Sequence, residues 1–255
     1  MIQFLKESTF AVNDVIKRSW DLLRAHYFSV AGLCLCLFLT SNTSGILAFY
    51  LQEVNPFLSA FMAILFVIVY FGIQLTLFKY ILRLIDHQKK IALSETIPST
   101  KELSFFFIAM LSIAAMVLVV YLAISVIAYP FIYVVDMDTI LQVNLVVAAV
   151  VTFVFLLRVA FYPFFIIDQH ETPLRSIRLS IALTKGNITK LLLILAFFAI
   201  LHLLYIYFNY MGYPVLSTVL SFISSFFVVP LSSVVIAMAY HSMMEAHRAI
   251  EPLEI

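Results

Sequence analysis

Charged residues are what this 255-residue chain has least of: Asp, Glu, Lys and Arg make up 11% of it, against 64% hydrophobic residues. An ordinary soluble domain carries roughly 25% charged and about 45–50% apolar residues. So few charges cannot cover the surface of so apolar a soluble protein. That excludes a soluble enzyme, a nucleic-acid-binding protein and a disordered chain. Cysteine is nearly missing: Cys34 and Cys36 are the two. They stand two apart in an apolar run, where a helix points them in different directions. Neither a disulfide framework nor a zinc spacing can be built from them. The five glycines, at 32, 45, 72, 186 and 212, are too scattered for a phosphate-cradling loop. A Gly-x-Ser-x-Gly hydrolase elbow is missing too. Net charge is +1, so overall balance implies no partner of either sign.

What the chain does have is six long apolar stretches. They run from about Phe28 to Leu51, Phe57 to Tyr80, Ser104 to Tyr129, Leu141 to Ile167, Ile188 to Tyr210 and Val215 to Tyr240. A membrane-crossing helix needs roughly 20 mostly apolar residues. None of the stretches alternates apolar and polar residues as a barrel strand would. The expected fold is therefore all-α, a polytopic bundle of six transmembrane helices forming one membrane domain. The first apolar run begins near Tyr27, behind an amphipathic segment, which argues against a secretory signal. The run Tyr27–Leu39 followed by Thr40–Ser44 could still mimic one.

The basic residues give the spans a direction. Lys6, Lys17, Arg18 and Arg24 precede span one, and Lys79, Arg83, Lys89, Lys90 and Lys101 surround the span two to three connection. Arg158, Arg175, Arg178, Lys185 and Lys190 surround the span four to five connection, and Arg248 follows span six; these are all 15 Lys and Arg. The other three connections carry Glu53, Asp136 and Asp138 instead. The positive-inside rule then places both termini and both basic loops in the cytoplasm. Tyr50, Tyr129, Tyr133, Tyr207, Tyr210 and Tyr213 gather near the opposite ends, as an interfacial belt does. Pro56, Pro130 and Pro214 mark the turns there.

An internal similarity is visible. Residues 16–26 (IKRSWDLLRAH) align with residues 177–187 (IRLSIALTKGN), and Tyr80 and His87 then meet Tyr240 and His247 at nearly the same offset. In the first segment Val12, Val15, Ile16, Leu22 and Leu23 oppose Asp14, Lys17, Arg18, Asp21 and Arg24, with Asn13 as a cap. In the second, Leu174, Ile177 and Ile181 oppose Arg175, Arg178 and Lys185. Thr172-Pro173 opens that segment, Gly186 stops it, and Asn187 can cap span five. Two cytoplasmic interfacial amphipathic helices are expected, with Lys17, Arg18, Arg24, Arg175, Arg178 and Lys185 toward lipid headgroups. A solvated linker helix is the alternative. Four spans separate the two segments, which makes the repeat parallel. Repeat A covers about 11–87, an inserted hairpin about 103–168, and repeat B about 172–247.

The stretch Arg158–Asp168, followed by Leu174–Asn187, resembles a six-span bacterial superfamily. That superfamily includes the membrane domain of glycerophosphodiester phosphodiesterases and related integral membrane proteins. Arg158, Pro163, Asp168, Ser180 and Leu183-Thr184-Lys185-Gly186 carry the resemblance, and Pro230-Leu231 through Tyr240 is similar to the family's last span. Ile181 departs from it, since a tryptophan is frequent there; Trp20 holds the equivalent place in repeat A. The resemblance implies a six-span bundle in the bacterial cytoplasmic membrane. It does not imply phosphodiesterase activity, since no catalytic domain fits in these 255 residues.

Polar groups inside spans are the remaining candidates, because they are expensive there. Thr40–Gly45 interrupts span one. Either the helix kinks or ends there, or it breaks and lines a cavity with Ser41 and Asn42. His202 falls opposite Ser41 in the repeat, as a helix–helix hydrogen bonder or a ligand. Arg158 lies deep if span four is straight, or snorkels if Pro163 ends the helix sooner. Ser217, Ser221, Ser224, Ser225, Ser232 and Ser233 suit close packing along span six rather than a pore. Gln74 and Asn144 are lone polar groups. His241 and Glu245 share a helix face but His247 turns away, so a metal site is not expected.

No catalytic residue and no cofactor is implied. Paired carboxylates and an activated nucleophile are lacking in the spans, which disfavours an intramembrane lipid enzyme. The first functional reading is transport or handling of a lipid or small molecule, with Ser41, Asn42, Arg158 and His202 as cavity candidates. The alternative is a non-catalytic scaffold that binds anionic lipid or other membrane proteins. Membrane lipids are the expected partners, with a membrane protein or a second copy besides, and no nucleic acid.

Overall fold

The computed structural model describes residues 11–87, 92–130 and 136–250. Lys6, Lys89, Lys90 and Tyr133 lie outside these residues, as do the side chains of Glu53, His247 and Arg248. Among the described residues the chain is helical throughout and holds no strand. In order come α1 (Val12–Val54), α2 (Pro56–His87), a short 3-10 turn (Leu93–Thr96), α3 (Thr100–Ala128) and α4 (Met137–Val159). Then follow α5 (Tyr162–Asp168), α6 (Pro173–Thr184), α7 (Ile188–Tyr210), α8 (Pro214–Ile223), a π-helical turn (Ser224–Val228) and α9 (Val229–Ile250). Six helical stretches are long and apolar enough to cross a membrane. The chain divides into two compact units, one of residues up to Leu103 together with those from Thr189, the other Ser104–Ile188.

In the first unit α1 packs along both α2 and α9, and α9 also touches α2. The core gathers toward one end of these helices. Val15, Leu23 and Val30 of α1 meet Leu75, Ile81 and Leu84 of α2 and Val234, Ala237 and Tyr240 of α9, all buried. Away from that end Phe49, Phe57, Phe61 and Ile64 stay exposed, the apolar surface that a bilayer would cover. At 43 residues and about 1.5 Å per residue, α1 is roughly twice as long as a bilayer core is thick. It bends once, at His26, whose φ of −125° and ψ of 24° leave the helical region.

The expected interruption at Thr40–Gly45 does not occur. Thr40 Oγ1 donates to the Cys36 carbonyl at 2.7 Å, Asn42 Nδ2 to that of Phe38 at 2.7 Å and Ser44 Oγ to that of Ser41 at 3.2 Å. Each polar group is satisfied on its own preceding turn, so the helix continues. Asn55 links α1 to α2: its Oδ1 accepts from the Phe57 and Leu58 amides at 3.0 and 3.3 Å. Pro56 then sits at the first helical position, where its missing N–H costs nothing.

The start of α3 is tied to α2 by a buried knot. Ser99 Oγ accepts from the Glu102 amide at 3.2 Å, and the Glu102 carboxylate accepts from the Ser99 amide at 2.7 Å, a reciprocal capping box. The same carboxylate receives Lys79 Nζ at 2.9 and 3.0 Å. Arg83 and Glu95, 3.6 Å apart, add an exposed pair nearby.

Within the second unit α4 ends at Val159 and α5 begins at Tyr162. Pro163 has no N–H for the Val159 carbonyl, which is why the ladder is cut here rather than at Asp168. Hydroxyls of α6 repair the cut. Ser180 Oγ donates to the Arg158 carbonyl at 2.9 Å and accepts from the Phe161 amide at 3.1 Å, while Thr184 Oγ1 reaches the Arg158 carbonyl at 3.2 Å. The buried side of α6 is therefore Ser176, Ile177, Ser180 and Thr184. It is turned toward the hydroxyls from the expected Leu174, Ile177 and Ile181 side, and Leu174 is exposed. Gly186 ends the segment with a φ of 89°, a left-handed stop that a side chain would strain.

A second proline break stands in the last span. Pro230 cannot donate to the Phe226 carbonyl, and the helix widens to a π turn over Ser224–Val228. Tyr27 takes over as donor, its hydroxyl 2.9 Å from that carbonyl. Its ring also lies 6.0 Å from Phe227, which Trp20 approaches from 6.0 Å as well.

Candidate functional site

The bend at His26 opens a space. The part of α1 before the bend stands next to the last turns of α2 and α9. Between the three lies a cavity of about 470 Å³, within the first unit. Arg18, Asp21, Leu22, Ala25 and His26 line it from α1, Leu84 and Ile85 from α2, and Met238, His241 and Glu245 from α9. Leu22, Leu84, Ile85 and Met238 form an apolar floor; the charged groups stand at the rim.

His241 organises one side of that rim. Its Nε2 is 3.1 Å from Asp86 Oδ1, and its Nδ1 is 3.6 Å from Glu245 Oε2. The Asp86 carboxylate can only accept, so the short contact assigns the ring hydrogen to Nε2. Arg18 and Asp21 stand opposite, both exposed and with no ion-pair partner among the described residues. Asp86, His241 and Glu245 do not converge as metal ligands; among the described residues no three such groups do. A cavity with an apolar floor and a charged rim can hold an amphiphile by its chain and its head together.

The residues expected from sequence are placed as follows. Ser41, Asn42 and His202 are all exposed on their helices, and among the described residues no hydrogen bond joins them. The ring of His202 lies beside that of Tyr205, with centres 5.9 Å apart. Arg158, in the second unit, is half-buried and its carbonyl is held by α6. Lys17, Arg18 and Arg24 are exposed along the first part of α1, and Arg175, Arg178 and Lys185 along α6. Arg175 also pairs with Glu171 at 3.2 Å. Sequence reasoning had the His241–Glu245 face but missed Asp86. Its i, i+4 spacing makes the first pair readable; only the packing of α9 on α2 delivers Asp86.

The six long apolar helices define a multi-pass helical membrane protein. No family model matches the chain, and no curated protein or solved structure is significantly similar to it.

Proposed function

We propose that this is a multi-pass protein of the bacterial cytoplasmic membrane that handles a lipid or small amphiphile at the cytoplasmic ends of its helices. The observation that carries the reading is the cavity of about 470 Å³ below the His26 bend, with its apolar floor and charged rim. An amphiphile entering from the inner leaflet meets that rim at headgroup depth, where basic segments attract lipid. The parallel repeat supports two such segments. His26 and Asn187 hold aligned positions, and each marks where an amphipathic stretch passes into a span. Ser19 and Ser180, also aligned, are both fully buried. In this reading Ser41, Asn42 and His202 mark the same depth in the two repeats, and Arg158 lies on the inserted hairpin.

A second reading rests on α6, whose Arg178 and Lys185 stand exposed on one side. A scaffold that docks on anionic lipid would use that side without any cavity.

Native mass spectrometry of the protein purified from membranes separates the two. Ala25 is exposed and lines the cavity, so Ala25→Trp fills the space with little strain. The expected result is a copurifying amphiphile on the wild type, lost in Ala25→Trp and kept in Arg178→Glu/Lys185→Glu. Loss confined to the α6 reversal would favour the scaffold. No bound amphiphile on the wild type would remove the handling reading.

A further inference from the structure

The charges around the cavity narrow what its occupant is, an inference that rests on the handling reading above. The chain is basic at this end, yet the rim is not. Its lining holds one guanidinium, Arg18, two imidazoles, His26 and His241, and two carboxylates, Asp21 and Glu245. A third carboxylate, Asp86, stands behind His241 at 3.1 Å. A purely anionic headgroup would find one favourable partner here and several repulsive ones. A purely cationic one would leave Arg18 with no counter-charge.

We propose that the cavity binds a zwitterionic amphiphile, its anionic group at Arg18, its primary ammonium at Asp21 and Glu245, and its hydrocarbon over Leu22 and Leu84. Arg18 and Asp21 share one helix, three positions apart, and lie beyond ion-pair distance of each other. Each therefore keeps its charge for a guest. Glu245 Oε2 is 3.6 Å from His241 Nδ1, beyond hydrogen-bond distance, which leaves its acceptor capacity open. An ammonium offers three hydrogen-bond donors, which matches carboxylates on two walls. A quaternary ammonium offers none and matches only their charge. The apolar floor adds no preference among headgroups but holds the chain.

The test uses purified full-length protein and three short-chain lipids with identical tails: dihexanoyl phosphatidylethanolamine, phosphatidylcholine and phosphatidylglycerol. Binding is counted by native mass spectrometry under each lipid alone and in pairwise competition. The ethanolamine lipid is expected to win over the glycerol lipid by roughly tenfold, the weight of about one charge-assisted hydrogen bond. Choline is expected between them. Asp21→Asn/Glu245→Gln should flatten the order while leaving binding itself, and Arg18→Ala should weaken both zwitterions. Equal binding of all three lipids, or preference for phosphatidylglycerol, overturns the zwitterion assignment. If Ala25→Trp still abolishes binding in that case, the cavity keeps its role. If Ala25→Trp changes nothing, the handling reading falls with it.

Discussion

At the residue scale, the largest electrostatic commitment of the fold is Glu102. Its side chain is 6% exposed, and that of its partner Lys79 15%. It closes both an ion pair and a capping box, so two donor groups, the Lys79 ammonium and the Ser99 amide, depend on one carboxylate. Removing one partner of a buried pair costs more than the pair contributes, because the other charge is left behind. Lys79 retains a path to water along its stem, which moderates the loss. Glu102→Ala is expected to lower stability by about 2–4 kcal/mol, against about 1 kcal/mol for Ser99→Ala, which removes the cap alone. Unfolding in mixed detergent micelles measures both. Equal effects of the two substitutions would show that Lys79 is not held by Glu102. The Ser99-x-x-Glu102 spacing is readable in the sequence as a cap, yet the apolar runs on either side drew the reading past it. Lys79 could not have been assigned to it, being 23 residues away.

At the element scale, two spans are broken by proline, and at each break a backbone carbonyl is caught by a hydroxyl from another element. Ser180 and Thr184 serve Arg158, and Tyr27 serves Phe226. In a hydrocarbon setting an unsatisfied carbonyl costs several kcal/mol, so these hydroxyls fix where α6 and the start of α1 dock. The Tyr27 contact predicts a specific coupling. In the natural background Tyr27→Phe should cost about 1 kcal/mol, the net value of one hydrogen bond. Pro230→Ala restores an N–H donor to the Phe226 carbonyl, and in that background Tyr27→Phe should cost almost nothing. A double-mutant cycle reads the difference directly. Additive effects would mean that the carbonyl never depended on Tyr27. The spans themselves were legible because length and apolarity alone define them. The breaks were legible only in part. Pro163 announced one, as an alternative to a straight helix. The polar run Thr40–Gly45 announced a break that is not there, since its side chains close on their own turns. His26 announced nothing, because no proline or glycine stands at the bend. The buried face of α6 was misplaced for a related reason: apolar periodicity cannot show that hydroxyls are wanted inside.

At the scale of the whole molecule, direction in the membrane follows from the placement of charge. In the first unit the beginning of α1 and the last turns of α2 and α9 surround one cavity, so these three ends share a side. They carry or adjoin Lys17, Arg18, Arg24, Lys79 and Arg83, five of the 15 basic residues. Translocating a segment with several Lys or Arg is disfavoured, and short loops obey this bias most strictly. The basic ends should therefore stay in the cytoplasm and the Asp136–Asp138 and Tyr210–Pro214 turns should cross. Replacing Cys34 and Cys36 with alanine gives a background for single reporter cysteines. Cysteines at Arg178 and Glu245 should react with a membrane-impermeant maleimide only after the cells are opened. Cysteines at Asp138 and Met211, both exposed in turns or first turns of helices, should react in intact cells. The inverse pattern would place the charged cavity outside the cell. It would then face the outer leaflet, and any amphiphile it takes would have to come from there. A mixed pattern, with Arg178 and Glu245 on opposite sides, would instead break the six-span count, because the two spans between them must return the chain to the side it left.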